Sequence, residues 1–348
     1  MFDHPSFDAH EGVHLFQDPA TGLKAIIAVH STALGPAAGG CRMWNYETGE
    51  AMLRDALRLS QGMSYKNAMA GLPLGGGKAV IWGDAKKDKS DAMFKAFGRA
   101  VASLQGKYWT AEDVGISTAD MEMVATETDY VAGLTTGAAA SGDPSPITAL
   151  GVFRGVLACA ERAFGTADLS DRTVAVQGVG HVGGYLCRHL ADAGARLVIA
   201  DVNQEALMAI AADTGAEIVA PSEIYGVTAD IFSPNALGAI INEDTLSVIK
   251  AKVIAGGANN QLIIPEMGEL LRRQGIIYAP DYVINGGGII NVAAEISGSY
   301  SREWVMERLD ALTATLGEVL DTALDSDMPT NRVADRMAKD RIEKAART

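Results

Sequence analysis

The spacing of apolar positions divides the chain into two stretches with different rhythms. Near the start, residues 13–17 and 23–30 are apolar or β-prone runs. They flank Asp18-Pro19-Ala20-Thr21-Gly22, a turn sequence, and so predict a hairpin. Over residues 50–63, Met52, Leu53, Ala56, Leu57, Leu59 and Met63 recur at helical intervals, with Arg54, Asp55 and Arg58 between them. Ser90 reads as the cap of a helix carrying Met93, Phe94, Phe97 and Val101, and residues 79–82 and 107–110 read as short strands. This half mixes strands and helices without a simple alternation.

After residue 145 the rhythm becomes regular. Ser145 reads as a cap with Pro146 at the first helical position, opening a helix that runs to Gly165. Short apolar runs follow at 173–177, 197–200, 217–219, 229–232, 252–255 and 276–279. Between them lie helices or turns, including 181–193 ended by Gly194 and 203–213 ended by Gly215. Six short buried strands with crossovers predict a parallel, doubly wound sheet. The expected class is α/β with two domains. Residues 1–140 form a mixed α/β domain, residues 141–325 a Rossmann-type domain, and helices over about 326–348 return to the first. The cleft between the domains is where chemistry is expected.

Composition narrows the choices. A chain of 348 residues can bury two cores, and 48% hydrophobic with 21% charged residues is an ordinary soluble balance. Forty-three acidic against 29 basic residues give a net charge of −14, which argues against nucleic acid partners. Cys41, Cys159 and Cys187 form neither a CxxC pair nor an even disulfide set, so reduced thiols in the cytoplasm are expected. The six histidines lack metal-ligand spacing, and no metal is expected. The start lacks a signal-peptide pattern, and no apolar run is long enough to span a bilayer. The charged run from Asn331 reads as a solvated helix face.

Gly178-Val179-Gly180-His181-Val182-Gly183 directly follows one predicted strand and opens a predicted helix. The first glycine suits a tight turn, the second lets backbone approach a pyrophosphate, and the third lets helix pack on strand. The helix N-terminus then faces phosphate. Asp201 ends the next strand, where a carboxylate can take both ribose hydroxyls and would repel a 2′-phosphate. NAD is therefore expected over NADP.

Lys66 and Lys78 frame a stretch that is otherwise apolar and glycine-rich, Asn67-Ala68-Met69-Ala70-Gly71-Leu72-Pro73-Leu74-Gly75-Gly76-Gly77. Burial and a second nearby cation each disfavour a charged lysine, so one of the pair can act as a neutral base while the other clamps an anion. The stretch is not a P-loop. Leu72 stands where the first glycine would be, and Ala79 replaces the serine or threonine.

These motifs occur with others in a familiar order: Gly39-Gly40-Cys41-Arg42-Met43-Trp44, Gly62-Met63-Ser64-Tyr65, Thr110-Ala111-Glu112-Asp113-Val114-Gly115, Ser145-Pro146-Ile147-Thr148, Gly257-Ala258-Asn259-Asn260-Gln261-Leu262, and Asn285-Gly286-Gly287-Gly288. Over nearly its whole length the chain resembles the Glu/Leu/Phe/Val dehydrogenase family, and its leucine and phenylalanine branches most. The resemblance implies NAD-dependent oxidative deamination of an L-amino acid to a 2-oxo acid and ammonium. It casts Lys78 as the base that activates water, Asp113 as the carboxylate that exchanges a proton with the amino group, and Lys66 as the partner of the substrate carboxylate. Gly40 and Met63 would also line the substrate, and Asn260 would contact the substrate amino group and the nicotinamide. Thr148, Val179, His181, Val182 and Asn259 would join Gly178, Gly180, Gly183 and Asp201 in holding NAD.

Ala38 stands where glutamate-specific members carry a lysine, so an apolar substrate is implied. Its pocket would be lined by Ala38, Ala111, Ile289 and Val292, with branched-chain amino acids first and phenylalanine as the alternative. Asn235 departs from the cysteine of those branches, near the cofactor. The resemblance also implies a homo-oligomer built through the first domain. A nucleotide-binding sensor that has kept only the fold is the other class of reading, and it would predict loss of Lys66, Lys78 or Asp113.

Overall fold

The computed structural model describes residues 2–134, 143–298 and 300–347. The expected boundary at 140–141 lies outside the described residues. The chain forms two compact units: Met1–Gly142 with Ile289–Val305 and Ala338–Thr348, and Asp143–Gly288 with Met306–Met337.

The first unit begins with the expected hairpin, β1 (Gly12–Asp18) and β2 (Leu23–Ser31), antiparallel with Gly12 opposite Val29. Then follow β3 (Ala37–Ala38), β4 (Cys41–Trp44), α1 (Gly49–Met69), β5 (Gly75–Trp82), α2 (Asp91–Ala102), β6 (Tyr108–Trp109) and α3 (Thr118–Ala125). The sheet runs β1-β2-β5-β3-β6, with β4 also paired to β5. Alternation sorts its side chains onto two faces. Ala25, Ile27, Val29, Ala79 and Ile81 pack with Phe94, Phe97 and Val101 of α2 and with Met121 and Val124 of α3. Ile26, Ala28 and Val80 pack with Met52 and Ala56 of α1.

Two elements are longer than the apolar pattern suggests. Helix α1 continues past Met63 to Met69, because Ser64, Tyr65, Asn67, Ala68 and Met69 keep one face buried. Strand β5 begins at Gly75, so the glycine tract is not a loop but the middle of a sheet. Glycine is required there by close approach. A Cβ at Gly76 would lie 2.0 Å from the Ser64 backbone nitrogen, and one at Gly75 would lie 2.0 Å from the Ser31 carbonyl oxygen.

The N-terminal segment is pinned by two buried histidines. His10 Nε2 lies 3.0 Å from the Leu57 carbonyl, and His30 Nδ1 lies 2.8 Å from Ser64 Oγ. Burial, then the adjacent His10 ring, hold His30 down to about 4, against the opposing pull of Asp8 and Glu11. The unfolded chain protonates this side chain near pH 6.5, so protons favour unfolding from there down to about pH 4. Acidification from neutral pH to about pH 4 is expected to cost of order 3 kcal/mol of stability through this group. Urea melts at pH 7.5 and 5 are expected to show a larger acid loss for the parent than for His30→Gln. Equal losses would show that His30 carries none of it.

The second unit opens with α4 (Ser145–Phe164), closed by left-handed Gly165. The cap lies one residue earlier than the sequence suggests: Pro144 is the N-cap, without a side-chain cap hydrogen bond, and the Ser145 N–H donates to Asp143 Oδ1 at 2.9 Å. There follow β7 (Thr173–Gln177), α5 (His181–Asp192), β8 (Arg196–Ala200), α6 (Gln204–Thr214), β9 (Glu217–Ile218), β10 (Ile231–Pro234), α7 (Glu243–Val248), β11 (Val253–Ile254), α8 (Met267–Arg273), β12 (Ile277–Tyr278) and α9 (Asp281–Ile284). All six strands are parallel in the order β12-β11-β10-β7-β8-β9, the doubly wound arrangement expected, with the order reversing between β7 and β10. From Ile289, helix α10 (Gly287–Ile296) counts with the first unit. Most of α11 (Arg302–Ser326) belongs to the second, and α12 (Thr330–Ala346) gives its residues from Ala338 onward to the first. There Arg341 donates to the carbonyls of Ala68 and Met69, at the end of α1.

Candidate active site

In the first unit, strand register gathers the expected residues on one face. Lys78 follows the alternation of Gly76 and Val80, which face α1. Parallel pairing sets Ala38 beside Gly76 and Arg42 beside Val80, so Ala38, Gly40 and Arg42 share that face. Cys41 bridges to Glu112, which brings Ala111 and Asp113 to the same side. Helix α1 touches β5 at Ser64 against Gly76, two residues before each lysine, and Met63 lies against the Gly39 position. The chain is tight here. A Cβ at Gly40 would meet the Glu112 carbonyl oxygen at 2.5 Å and Asp113 Cβ at 2.9 Å.

The outcome is an ion cluster. Lys78, only 5% exposed, places Nζ 2.5 Å from Asp113 Oδ2. Burial alone would raise the Asp113 carboxyl, but Lys78 and Arg42 outweigh it and hold it below the usual range. Arg42 Nε donates to the same Oδ2 at 3.3 Å, and its Nη1 reaches Asp55 Oδ2 at 3.2 Å, where Tyr46 also donates at 2.7 Å. Lys66 sits half-buried in the last turn of α1. Ala38 is buried and Ala111 partly so, while Ile289 and Val292, three apart on α10, are half-buried.

Arg42, Asp55 and Tyr46 carry no role in the sequence reading. Arg42 lies inside a quoted motif, but its partner Asp55 reads only as part of a polar helix face. The β4–β5 register is what brings them together.

The second unit holds the nucleotide residues. Gly178 has φ +90°, the turn only glycine takes readily, and a Cβ at Gly183 would lie 2.0 Å from the Gly178 carbonyl oxygen. Gly180 has no atom within 4 Å of a Cβ position and is exposed, so its face stands open. His181 and Val182 begin α5, whose first N–H groups lack helical partners. Asp201 follows β8. Its Oδ2 accepts the Val179 N–H at 2.7 Å and its Oδ1 the Asn203 N–H at 2.9 Å, which fixes the carboxylate beside the glycine loop. An open backbone face at a helix N-terminus with an acid at the next strand fits a dinucleotide.

Thr148 lies in the first turn of α4, and a Cβ on Gly288 would meet its Oγ1 at 3.0 Å. Asn259 and Asn260 follow β11 and are exposed. Asn260 takes a left-handed φ of 52°, and Asn259 Oδ1 accepts from Asn285 Nδ2 at 2.7 Å. Asn235 ties the strand ends together, because its Oδ1 accepts the Gly257 N–H at 2.8 Å and its own N–H donates to Gln177. Among the described residues no helix is long and apolar enough to cross a membrane.

Residues 10–130 match the Glu/Leu/Phe/Val dehydrogenase dimerisation domain, and residues 199–348 match the Glutamate/Leucine/Phenylalanine/Valine dehydrogenase domain. The leucine dehydrogenase of Geobacillus stearothermophilus is 53% identical over 96% of this chain and 91% of its own length. The phenylalanine dehydrogenase of Caldalkalibacillus thermarum is 41% identical over 97% and 92%. Among solved structures, L-tryptophan dehydrogenase from Nostoc punctiforme superposes with a TM-score of 0.86 at 42% identity, covering 98% of both chains. With two domain matches, a relative above half identity over nearly its whole length and the ion cluster and glycine loop in place, the chain belongs to the Glu/Leu/Phe/Val dehydrogenase family and is an amino acid dehydrogenase.

Proposed function

We propose that this chain catalyses the NAD-dependent oxidative deamination of an apolar L-amino acid of the leucine, valine or isoleucine type. The products are the 2-oxo acid, ammonium and NADH, and the reaction reverses as reductive amination. The observation that carries the reading is the pairing of Lys78 with Asp113 on the α1 face of the first sheet. Fifty-three per cent identity to a leucine dehydrogenase, against 41% to a phenylalanine dehydrogenase, favours the branched-chain substrate.

In this reading bound NAD supplies the hydride acceptor for substrate Cα. Lys66 holds the α-carboxylate, and Gly40 and Met63 form the floor beside it. Asp113 exchanges a proton with the amino group, and Lys78 takes the proton of the water that attacks the iminium carbon. Ala38, Ala111, Ile289 and Val292 surround the side chain without a cation. Asp201 takes the ribose hydroxyls, the loop Gly178–Gly183 and Thr148 the phosphates and their surroundings, and Asn259 and Asn260 the nicotinamide end. The exposed edge strand β1, with Leu15 68% exposed, supports assembly as a homo-oligomer through the first unit. Three free buried cysteines suit a reducing cytoplasm.

NADH formation with a panel of L-amino acids at alkaline pH tests the assignment. Leucine, isoleucine and valine are expected to exceed phenylalanine by about 10-fold or more in kcat/KM, a difference a hydrophobic pocket can supply. Glutamate is expected to be inert, since its γ-carboxylate would be buried without a cation. A best rate on glutamate, or no turnover in protein that binds NADH, would overturn the reading.

A further inference from the structure

The Lys78–Asp113 pair poses a charge problem that the cluster around it answers. Whenever Lys78 is neutral, Asp113 loses the ammonium 2.5 Å from its Oδ2. A carboxylate this enclosed, with no other cation, would take up the proton itself. Arg42 Nε stands 3.3 Å from the same oxygen, and a guanidinium does not give up its proton in this pH range. Its direction is fixed from behind. Asp55 Oδ2 accepts from Arg42 Nη1 at 3.2 Å and from Tyr46 Oη at 2.7 Å, so helix α1 and the segment after β4 brace the guanidinium.

We propose that Arg42 is a positioning residue for the reaction, holding the Asp113 carboxylate ionised and oriented through the step in which Lys78 is without its proton. The proposal rests on the roles assigned to Lys78 and Asp113. Among the described residues, Lys78 from β5 and Arg42 from β4 pair with Asp113, and the buried Cys41 of β4 and Tyr108 of β6 couple to its charge from the other face of the sheet. Burial drives both the Cys41 thiol and the Tyr108 phenol far up, so neither supplies or removes charge near neutrality. Arg42 is then the permanent cation of the set. A simpler role, tying β4 to α1 for stability alone, would use the Asp55 contact and leave the Asp113 contact without consequence.

The two roles separate in pH profiles of kcat and kcat/KM, recorded with NADH affinity and Tm for Arg42→Gln, Arg42→Lys and Asp55→Asn, and with Asp113→Asn as reference. Arg42→Gln is expected to lower kcat about 10- to 100-fold, the range for one hydrogen bond to a charged group. Without the guanidinium Asp113 protonates more readily, so the acid limb of kcat/KM moves to higher pH by about one unit or more. NADH affinity is expected to stay within about two-fold, and Arg42→Lys to restore part of both kinetic losses. A folded Arg42→Gln enzyme with the parent's acid limb, changed only in Tm, overturns the proposal. If Arg42→Gln does not fold, Asp55→Asn decides, because it keeps the guanidinium but releases its anchor: a limb displaced to higher pH supports the proposal, and one unmoved or displaced to lower pH, as loss of the Asp55 charge alone would give, overturns it. Parent-level turnover by Asp113→Asn would instead remove the role of Asp113, a failure distinct from an inactive Asp113→Asn beside an unshifted Arg42 variant.

Discussion

Replacing Lys78 by alanine is expected to reduce kcat about 100- to 10,000-fold while NADH affinity stays within about two-fold, the range for loss of a general acid or base. The size follows from where the ammonium sits. Lys78 lies mid-strand in β5, 5% exposed, and its Nζ is the nearest cation to Asp113. Truncation leaves the strand intact, since β5 is held by pairing with β2, β3 and β4 and by glycine contacts that do not involve the lysine side chain. Asp113 keeps Arg42 as a counter-charge, so the variant is not left with a solitary buried carboxylate. The glycine loop and Asp201 belong to the other compact unit, with its own sheet and core, so cofactor binding reports independently on folding. Stopped turnover with NADH still bound is the expected pair of results, read by steady-state kinetics and NADH fluorescence titration. Near-parent turnover would remove Lys78 from the reaction, and loss of binding together with turnover would indicate a misfolded variant.

The second unit was legible in the sequence because its signals are local. Each apolar run of the parallel sheet is bounded by a helix or turn with its own punctuation. Left-handed Gly165 and Gly215 close α4 and α6, and Asn203 caps α6 through the Ala206 N–H. The glycine fingerprint also reads directly, since the positive φ at Gly178, the open face at Gly180 and the approach of Gly183 to the Gly178 carbonyl are set within the loop itself. The first unit resisted because its order is set at a distance. Strand β3 has two residues, too few to show a period. Gly75, Gly76 and Gly77 present no side chains whose alternation could mark a strand, and glycine disfavours strands in isolation. Contacts at a distance explain them: the Ser31 carbonyl at Gly75, α1 at Ser64 for Gly76, and the Tyr108 ring at Gly77. The same holds for the pairing of Arg42 with Asp55, thirteen residues apart in sequence, and with Asp113 seventy-one residues away. The lysines could be chosen from their setting, whereas the cation shared with Lys78 on Asp113 required the register of β4 against β5.

Replacing Asp201 by asparagine is expected to shift the preference for NAD over NADP by about 1,000-fold, through two effects that act on different ligands. For NAD, hydrogen bonds from the ribose hydroxyls to a carboxylate give way to weaker bonds to an amide, a loss of about 1.5–3 kcal/mol. For NADP, removing the carboxylate removes a like-charge juxtaposition worth several kcal/mol. The substitution also touches the loop. Asp201 accepts the Val179 N–H through Oδ2 and the Asn203 N–H through Oδ1, and asparagine has one acceptor oxygen for the two donors. A modest loss of stability is therefore expected as well, and the Tm separates it from the cofactor effect, because a loosened loop would weaken NAD and NADP alike. The deciding quantity is the ratio of kcat/KM for the two cofactors at fixed amino acid concentration. If that ratio is unchanged while both cofactors weaken together, Asp201 serves only to brace the turn at Val179. If the ratio falls steeply with NADP gaining in absolute terms, the charge of Asp201 is what excludes the 2′-phosphate.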